Sequence, residues 1–427
     1  MNVQTLAQIA SGVSGYDPKA LPVEKAQEFI ARLVPQVTAI ESLALRSALG
    51  RVLARDVVST IDVPAHDNSA MDGYALRGSD LQAAGDTLLT VAGTGMAGQA
   101  YDGKVAAGQC LRIMTGALMP VGLDTVVPQE FVKIEGTRVR IPAGVVRAGD
   151  NRRLAGEDLA SGSAALHAGR ILRPADLGLM ASLGRAEVPV YRKLRVAFFS
   201  TGDELRSVGE PLDAGCVYDS NRYTIWAMLQ RLGCEMLDLG VVRDRPDALR
   251  AAFSEAASSA DAVITSGGVS VGEADHTKAI MAELGDVLFW RIAMRPGRPM
   301  AIGRVATGGH EAILFGLPGN PVAVMVTFYA FVRTALLSMS GATPSPMPLL
   351  RAACTTTLSK KPGRTEYQRG IVSRSTDGRW RVAITGSQGS GILSSMSAAN
   401  GMVVLHHDQG DIAAGDEVDV IPFDALV

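Results

Sequence analysis

From Arg195 onward, short apolar runs alternate with amphipathic segments, and this alternation restricts the fold more than any other feature of the chain. RVAFFST (195–201), EMLDLGVV (235–242) and DAVITSGG (261–268) have the apolar character of buried strands. Between them Ile225, Met228, Leu229 and Leu232 recur at helical spacing, as do apolar positions over 249–257 and 279–284. VLFW (287–290), AILFGLP (312–318) and a long apolar helix over 322–339 complete the series. This order predicts a mostly parallel, doubly wound sheet with helices on both faces, a fold that binds ligands at the carboxyl ends of its strands.

At 427 residues the chain exceeds one ordinary core, since single domains run to about 100–200 residues. Residues 1–17 show no periodicity and are expected to form a loose arm. Val23, Ala26, Phe29, Ile30 and Leu33 mark one amphipathic helix, and Leu45, Leu49, Val52 and Leu53 a second. Residues 63–157 have short apolar runs separated by Gly-containing turns and read as an inserted β-rich domain. The insertion divides a helical domain into 18–62 and 158–190, where a helix returns over 174–183 before Gly184. The α/β domain then spans 191–345. Residues 346–427, with alternating Trp380, Val382 and Ile384, read as a small C-terminal β-barrel. The expected fold class is therefore multidomain, α/β plus β.

Charge and cysteine usage exclude several functions. Forty-one basic against 43 acidic residues give a net charge of -2, so no global field draws the chain to nucleic acid or an anionic membrane. The four cysteines lie far apart without CxxC spacing, which excludes a disulfide framework or zinc knuckle and predicts a cytoplasmic protein. The first ten residues lack a secretory pattern, and the longest apolar run, 321–332, stops at Arg333, too short to span a bilayer. HxH, HExxH and GxSxG patterns are absent.

Candidate chemistry gathers at the strand ends. Residues 200–204 (STGDE), 242–244 (VRD) and 266–275 (SGGVSVGEAD) follow three strands of one sheet. The glycines of the last let backbone N–H groups approach an oxyanion, while Asp275 either caps the next helix or reaches a metal. Glu273 and Ala274 stand where a P-loop needs Lys and Ser or Thr. RPGRP (295–299) holds two guanidiniums on a proline-stiffened loop, suited to a tetrahedral oxyanion or simply a surface turn. In GLPGNP (316–321) Asn320 reads as an N-cap with Pro321 at the first helical position. DNSAMDGYA (67–75) and NRRLAGED (151–158) are polar segments that fit either a site or plain turns.

Together with RIMTGA (112–117), FSTGDEL (199–205), QRG (368–370) and GSQGSG (386–391), these strings resemble the molybdopterin molybdenumtransferase family, MoeA, which includes the gephyrin E domain and its plant counterparts. The resemblance covers nearly all of the chain after about residue 20. It implies an L-shaped homodimer of four-domain subunits, whose α/β domain is similar to molybdopterin adenylyltransferases. It implies an enzyme of molybdenum cofactor biosynthesis that inserts molybdate into adenylylated molybdopterin and releases AMP, with Mg2+. A divalent cation would also reconcile an acidic site with anionic substrates.

By resemblance, Glu204, Asp244 and Asp275 would hold Mg2+, while Asp72, Asp158 and Thr115 would join the same catalytic set, the two aspartates from the partner subunit. Ser266, Gly267, Gly268, Ser270 and Gly272 would cradle a phosphate. Arg295, Arg298, Pro318, Arg369 and Ser390 would face the molybdate and pterin. Arg291, Arg295 and Arg298 depart from the lysines of many relatives, which keeps charge but changes hydrogen-bond geometry. The implied partners are a molybdopterin adenylyltransferase and molybdoenzymes or cofactor-maturation proteins, with neither nucleic acid nor membrane. The alternatives are an MgATP-dependent molybdopterin adenylyltransferase and a non-catalytic dimeric scaffold.

Overall fold

The computed structural model describes residues 4–269 and 276–426, the side chains of 425 and 426 excepted. The chain forms two compact units, one comprising residues through Glu41, Gly50–Val52 and everything from Val190, the other Ser42–Leu49 and Leu53–Pro189. Residues 18–41 thus group with the α/β sheet, whereas 53–62 and 158–189 group with the β-rich segment.

In the first unit six strands lie in the order Glu235–Val242, Arg195–Thr201, Ala262–Ser266, His310–Leu317, Pro299–Thr307 and Gly285–Arg291. The first four are parallel, and the last two run antiparallel to their neighbours. Successive side chains point to opposite faces, so Val196, Phe198 and Ile264 enter one core while Ala197, Phe199 and Val263 enter another. Pro246–Ser259 and His276–Leu284 cover the second face, and Ser220–Arg231, Val23–Leu33 and the helix through Pro321 cover the first. Burial on both faces explains the unbroken apolar runs of these strands.

The helix Pro321–Met339 is 19 residues long, longer than the apolar run before Arg333 indicates, and apolar enough to cross a membrane; its most apolar stretch is 72% buried in the first unit's core. A π-type turn at Phe328–Val332 lies in its interior. C-terminally, Leu350–Cys354, Thr365–Arg374, Trp380–Ile384, Gly401–Leu405 and Glu417–Pro422 form a barrel closed by pairing of Thr365–Arg374 with Gly401–Leu405. Its centre holds Val382, Val403, Leu405 and Val420.

Two N-terminal expectations are corrected. The arm is folded: Leu6–Gly12 is a helix whose Thr5 and Gln8 form a capping box and whose Leu6 and Ile9 enter the large core with Val13. The second amphipathic helix does not form. Only Leu45–Ser47 makes a short 3-10 turn; Gly50 adopts a left-handed φ of 74°, and the Leu53 N–H leaves for the Arg170 carbonyl.

The second unit is built on a six-stranded sheet with Gly73–Leu76 between Thr125–Pro128 and Gln109–Ile113. Tyr74 and Leu76 pack on one side and Ala75 on the other, the period of two again burying both faces.

Candidate active site

At the carboxyl ends of the parallel strands the first unit encloses a cavity of about 980 Å³. The strand Arg195–Thr201 leads to Thr201, Gly202 and Glu204, Glu235–Val242 to Asp244, and Ala262–Ser266 to Ser266, Gly267, Gly268 and Val269. His310–Leu317 leads to Pro318, Gly319 and Asn320. Because Pro299–Thr307 is antiparallel, its beginning reaches the same edge and brings Arg295, Gly297 and Arg298. Gln388, Gly389 and Ser390 close the wall from the C-terminal segment, where the Val322 N–H donates to the Ser390 carbonyl at 3.0 Å.

Strand order makes this cavity polar along its length. Asp244 and Glu204 follow the first two strands in the sheet, and Arg295 and Arg298 precede the fifth. Three inter-strand steps from Glu204 to the arginine loop correspond to about 14 Å. Glycine turns lie between these ends. Gly267 and Gly268 have φ of 91° and 65°, and a Cβ on Gly267 would come within 2.5 Å of the Thr201 carbonyl oxygen. Only glycine fits there, leaving the backbone open to close approach by a ligand.

The acidic end is held by its own loops. The Asp244 N–H donates to Asp203 Oδ1 at 3.3 Å, and Arg243 and Arg206 donate to the Asp203 carbonyl. Asp244 Oδ1 is buried without a hydrogen-bond partner among the described residues. Arg295 and Arg298 are exposed at the opposite end, with no ion-pair partner among the described residues. Arg291 is exposed but does not line the cavity.

Arg369 lies behind the wall, not on it. It is wholly buried, and its guanidinium donates to Ser395 Oγ and to the carbonyls of Ser387, Gln388 and Gly389 at 2.9–3.3 Å. Burial, then the charge of Arg295, pushes it below the ordinary arginine value. Three of these bonds therefore hold the loop carbonyls just before Ser390, and the fourth ties the guanidinium to the helix Leu393–Ala398.

Ser270, Gly272 and Asp275 lie outside the described residues. Asp72, Thr115 and Asp158 belong to the second unit, where the segments 67–75, 112–117 and 151–158 meet: Gly116 N–H bonds the Ser69 carbonyl, and Ala70 N–H the Asn151 carbonyl. Asp72 Oδ1 accepts both the Thr115 N–H and its hydroxyl at 2.7 Å. These bonds, the backbone one foremost, hold the exposed carboxyl below its ordinary value. Asp158 is exposed, its N–H bonding the Val63 carbonyl, and no hydrogen bond joins it to Asp72 or Thr115.

Sequence reasoning passed over Asn221, Gly297 and Gln388 as cavity residues and read Asn320 as a cap. Asn221 Nδ2 donates to the Gly319 carbonyl at 2.7 Å. Asn320 occupies the N-cap position but makes no side-chain cap bond. The strings DSN (219–221) and PGN (318–320) carry the only signal, an amide beside a turn.

Comparisons with known proteins agree with this architecture. Residues 21–184 match the family described as MoeA N-terminal region (domain I and II), 197–338 the probable molybdopterin binding domain, and 351–423 the MoeA C-terminal region (domain IV). A relative named molybdopterin molybdenumtransferase from Haemophilus influenzae is 41% identical over 95% of this chain and 100% of its own. One of the same name from Nostoc is 37% identical over 93% of each. The crystal structure of molybdopterin biosynthesis moeA protein from Pyrococcus horikoshii OT3 superposes with a TM-score of 0.81 at 28% identity, covering 95% of this chain and 100% of that one. With matching regions in the same order over most of its length, the chain belongs to the MoeA family.

Proposed function

We propose that this chain inserts molybdate into adenylylated molybdopterin with release of AMP, a step of molybdenum cofactor biosynthesis. The observation that carries the reading is the polarity of the cavity, with carboxylates at one end, arginines without an ion-pair partner among the described residues at the other and glycine turns between them. Such a cavity suits an extended substrate whose pyrophosphate meets a cation while an oxyanion is held apart from it. The curated relatives carry the corresponding enzyme name over nearly their full lengths.

The acidic end fits Mg2+. Asp244 Oδ1 is a buried, unpartnered hard donor, and Glu204 lines the same wall. Family resemblance adds Asp275 as the third ligand. Among the described residues no cluster of three metal ligands exists, and Asp275 lies outside them. Bound there, Mg2+ would neutralise pyrophosphate charge and polarise the anhydride.

The chain's own groups do the positioning. Arg295 and Arg298 orient molybdate through their N–H forks, and the Gly267–Gly268 backbone approaches phosphate oxygens. Arg369 keeps Ser390 in place through the loop carbonyls. The same proposal includes a cytoplasmic homodimer in which Asp72 and Asp158 serve the site from the second copy, with Thr115 in the same polar set. An adenylyltransferase would supply the substrate, and molybdoenzymes or their maturation proteins would take the product.

The test is AMP release from adenylylated molybdopterin with Mg2+, with and without molybdate. Molybdate-dependent release that yields a molybdenum-bearing pterin is expected. Pyrophosphate formed from ATP instead would favour adenylyl transfer, and no release by folded protein would overturn the reading.

A further inference from the structure

Two carboxamides lie beside Gly319 in the cavity: among the described residues Asn221 leaves its oxygen unpartnered, and Asn320 makes no side-chain cap bond. Asn221 lies on the second residue of the helix Ser220–Arg231 and is 7% exposed. Its Nδ2 donates to the Gly319 carbonyl at 2.7 Å, which fixes the amide orientation because the flipped form would set oxygen against oxygen. The remaining Oδ1 is buried and has no partner among the described residues. Native folds rarely leave such an acceptor unpaired.

Asn320 stands where a side chain normally caps the next helix by accepting a hydrogen bond from its second or third N–H. The second of these, on Val322, already donates to the Ser390 carbonyl at 3.0 Å. Asn320 makes no cap bond and stays exposed on the cavity wall.

The pair sits between the charged ends, at the 319 turn, where a Cβ on Gly319 would lie 3.8 Å from Gly267 Cα. The acceptor that Asn221 leaves open is ill suited to a fully ionised pyrophosphate or molybdate, both of which lack N–H donors. The two amides match the edge of a heterocycle that offers an N–H beside an acceptor.

We propose that Asn221 and Asn320 form a recognition edge for the heterocyclic part of the substrate, Asn221 Oδ1 accepting a ring or exocyclic N–H and the Asn320 amide completing the contact. This rests on the reading of the cavity as the site of a pterin nucleotide. The pterin and the adenine both present the required chemistry.

Calorimetric binding to the full chain with Mg2+ tests the edge. The probes are AMP, purine riboside monophosphate, which lacks the exocyclic amine, a soluble pterin phosphate, and inorganic pyrophosphate in alkaline buffer. Asn320→Ala loses no cap and should fold normally. It should weaken AMP or the pterin phosphate about three- to tenfold while changing pyrophosphate less than about twofold. Loss on AMP and not on the pterin phosphate assigns the edge to adenine, with an Asn221→Ala loss smaller on purine riboside monophosphate than on AMP; loss on the pterin phosphate assigns it to the pterin. Asn221→Ala should add a loss on the same probe beyond any common factor from releasing Gly319. An equal loss on every probe, or none with Asn320→Ala, overturns the proposal and leaves the cavity reading intact. No binding of any probe to the unaltered protein removes both.

Discussion

Arg369 Nε donates to Ser395 Oγ at 3.0 Å inside the C-terminal segment, and this bond anchors an arginine that has no surface exposure. The same guanidinium ties down the Ser387, Gln388 and Gly389 carbonyls in a partly buried loop, so its removal frees that loop and unpairs the buried Ser395 contact. Arg369→Met is expected to cost about 3 kcal/mol of stability, and Arg369→Lys about 1–2, since lysine keeps the charge but cannot span the same acceptors. Urea unfolding measures both. If the arginine acts through the loop, the lysine variant should recover much of the AMP release lost in the methionine variant at temperatures where both are folded.

Thr115→Val should disturb Asp72 without unfolding the second unit, because both residues are exposed and the backbone donor remains. The folded Asp72 carboxyl lies below its ordinary value, so its ionised form is favoured above the ordinary carboxylate range and is lost as pH falls through the depressed value. Removing the hydroxyl bond should raise that value toward the ordinary one, measurable by carbon-detected NMR titration. The acid limb of AMP release should move to higher pH in parallel, with a rate loss of about three- to tenfold near neutrality. An unshifted titration would show that the hydroxyl contributes nothing to Asp72.

The central sheet and the strand-end loops that line its cavity were legible because local periods carried them. Phe198 and Phe199 enter opposite cores, so a continuous apolar run could only be a strand covered on both sides. The turn at Gly267 was legible as a close-approach position because glycine at a strand end has few other uses. Tertiary facts were not legible. Nothing local records that Ser390, some seventy residues downstream, takes the Val322 N–H, one of the two that an Asn320 side-chain cap would use. Nor does QRG reveal that Arg369 turns inward while Arg295 and Arg298 stay exposed. The pattern Leu45, Leu49, Val52 and Leu53 imitates a helix, but Gly50 takes a left-handed conformation and Leu53 pairs with Arg170 across the chain.

Asp261 pins the amino ends of the parallel strands. It receives a two-pronged bond from Arg192 at 2.6 and 2.7 Å and the Arg195 N–H at 2.8 Å, while its own carbonyl accepts the Ile313 N–H. Burial pushes its carboxyl upward, but these donors outweigh that effect and hold it below the ordinary value. Its stabilisation is complete above the ordinary aspartate range and disappears as pH falls through the depressed folded value. Asp261→Asn is expected to cost about 2–3 kcal/mol at neutral pH and to flatten the acid decline of unfolding free energy. A variant with the unaltered acid dependence would assign that decline to other carboxylates.

Ile9→Ala tests the N-terminal helix, whose sequence signal was short but present: Thr5 and Gln8 make the capping box, and Leu6, Ile9 and Val13 repeat on one face. Seven residues cannot hold a helix alone in water, so its persistence must come from burial. Ile9 is 1% exposed, and the segment is further tied by Arg304 donating to the Gln4 carbonyl at 2.8 Å. Nearby, Trp290 Nε1 donates to the Tyr16 hydroxyl at 2.8 Å and meets Phe29 edge-on. Truncating Ile9 should therefore cost about 2–4 kcal/mol in urea unfolding, the range for emptying a packed site, and should raise hydrogen exchange over Leu6–Gly12 first. A cost below about 0.5 kcal/mol, the range of surface substitutions, would mean that the arm is dispensable to the core.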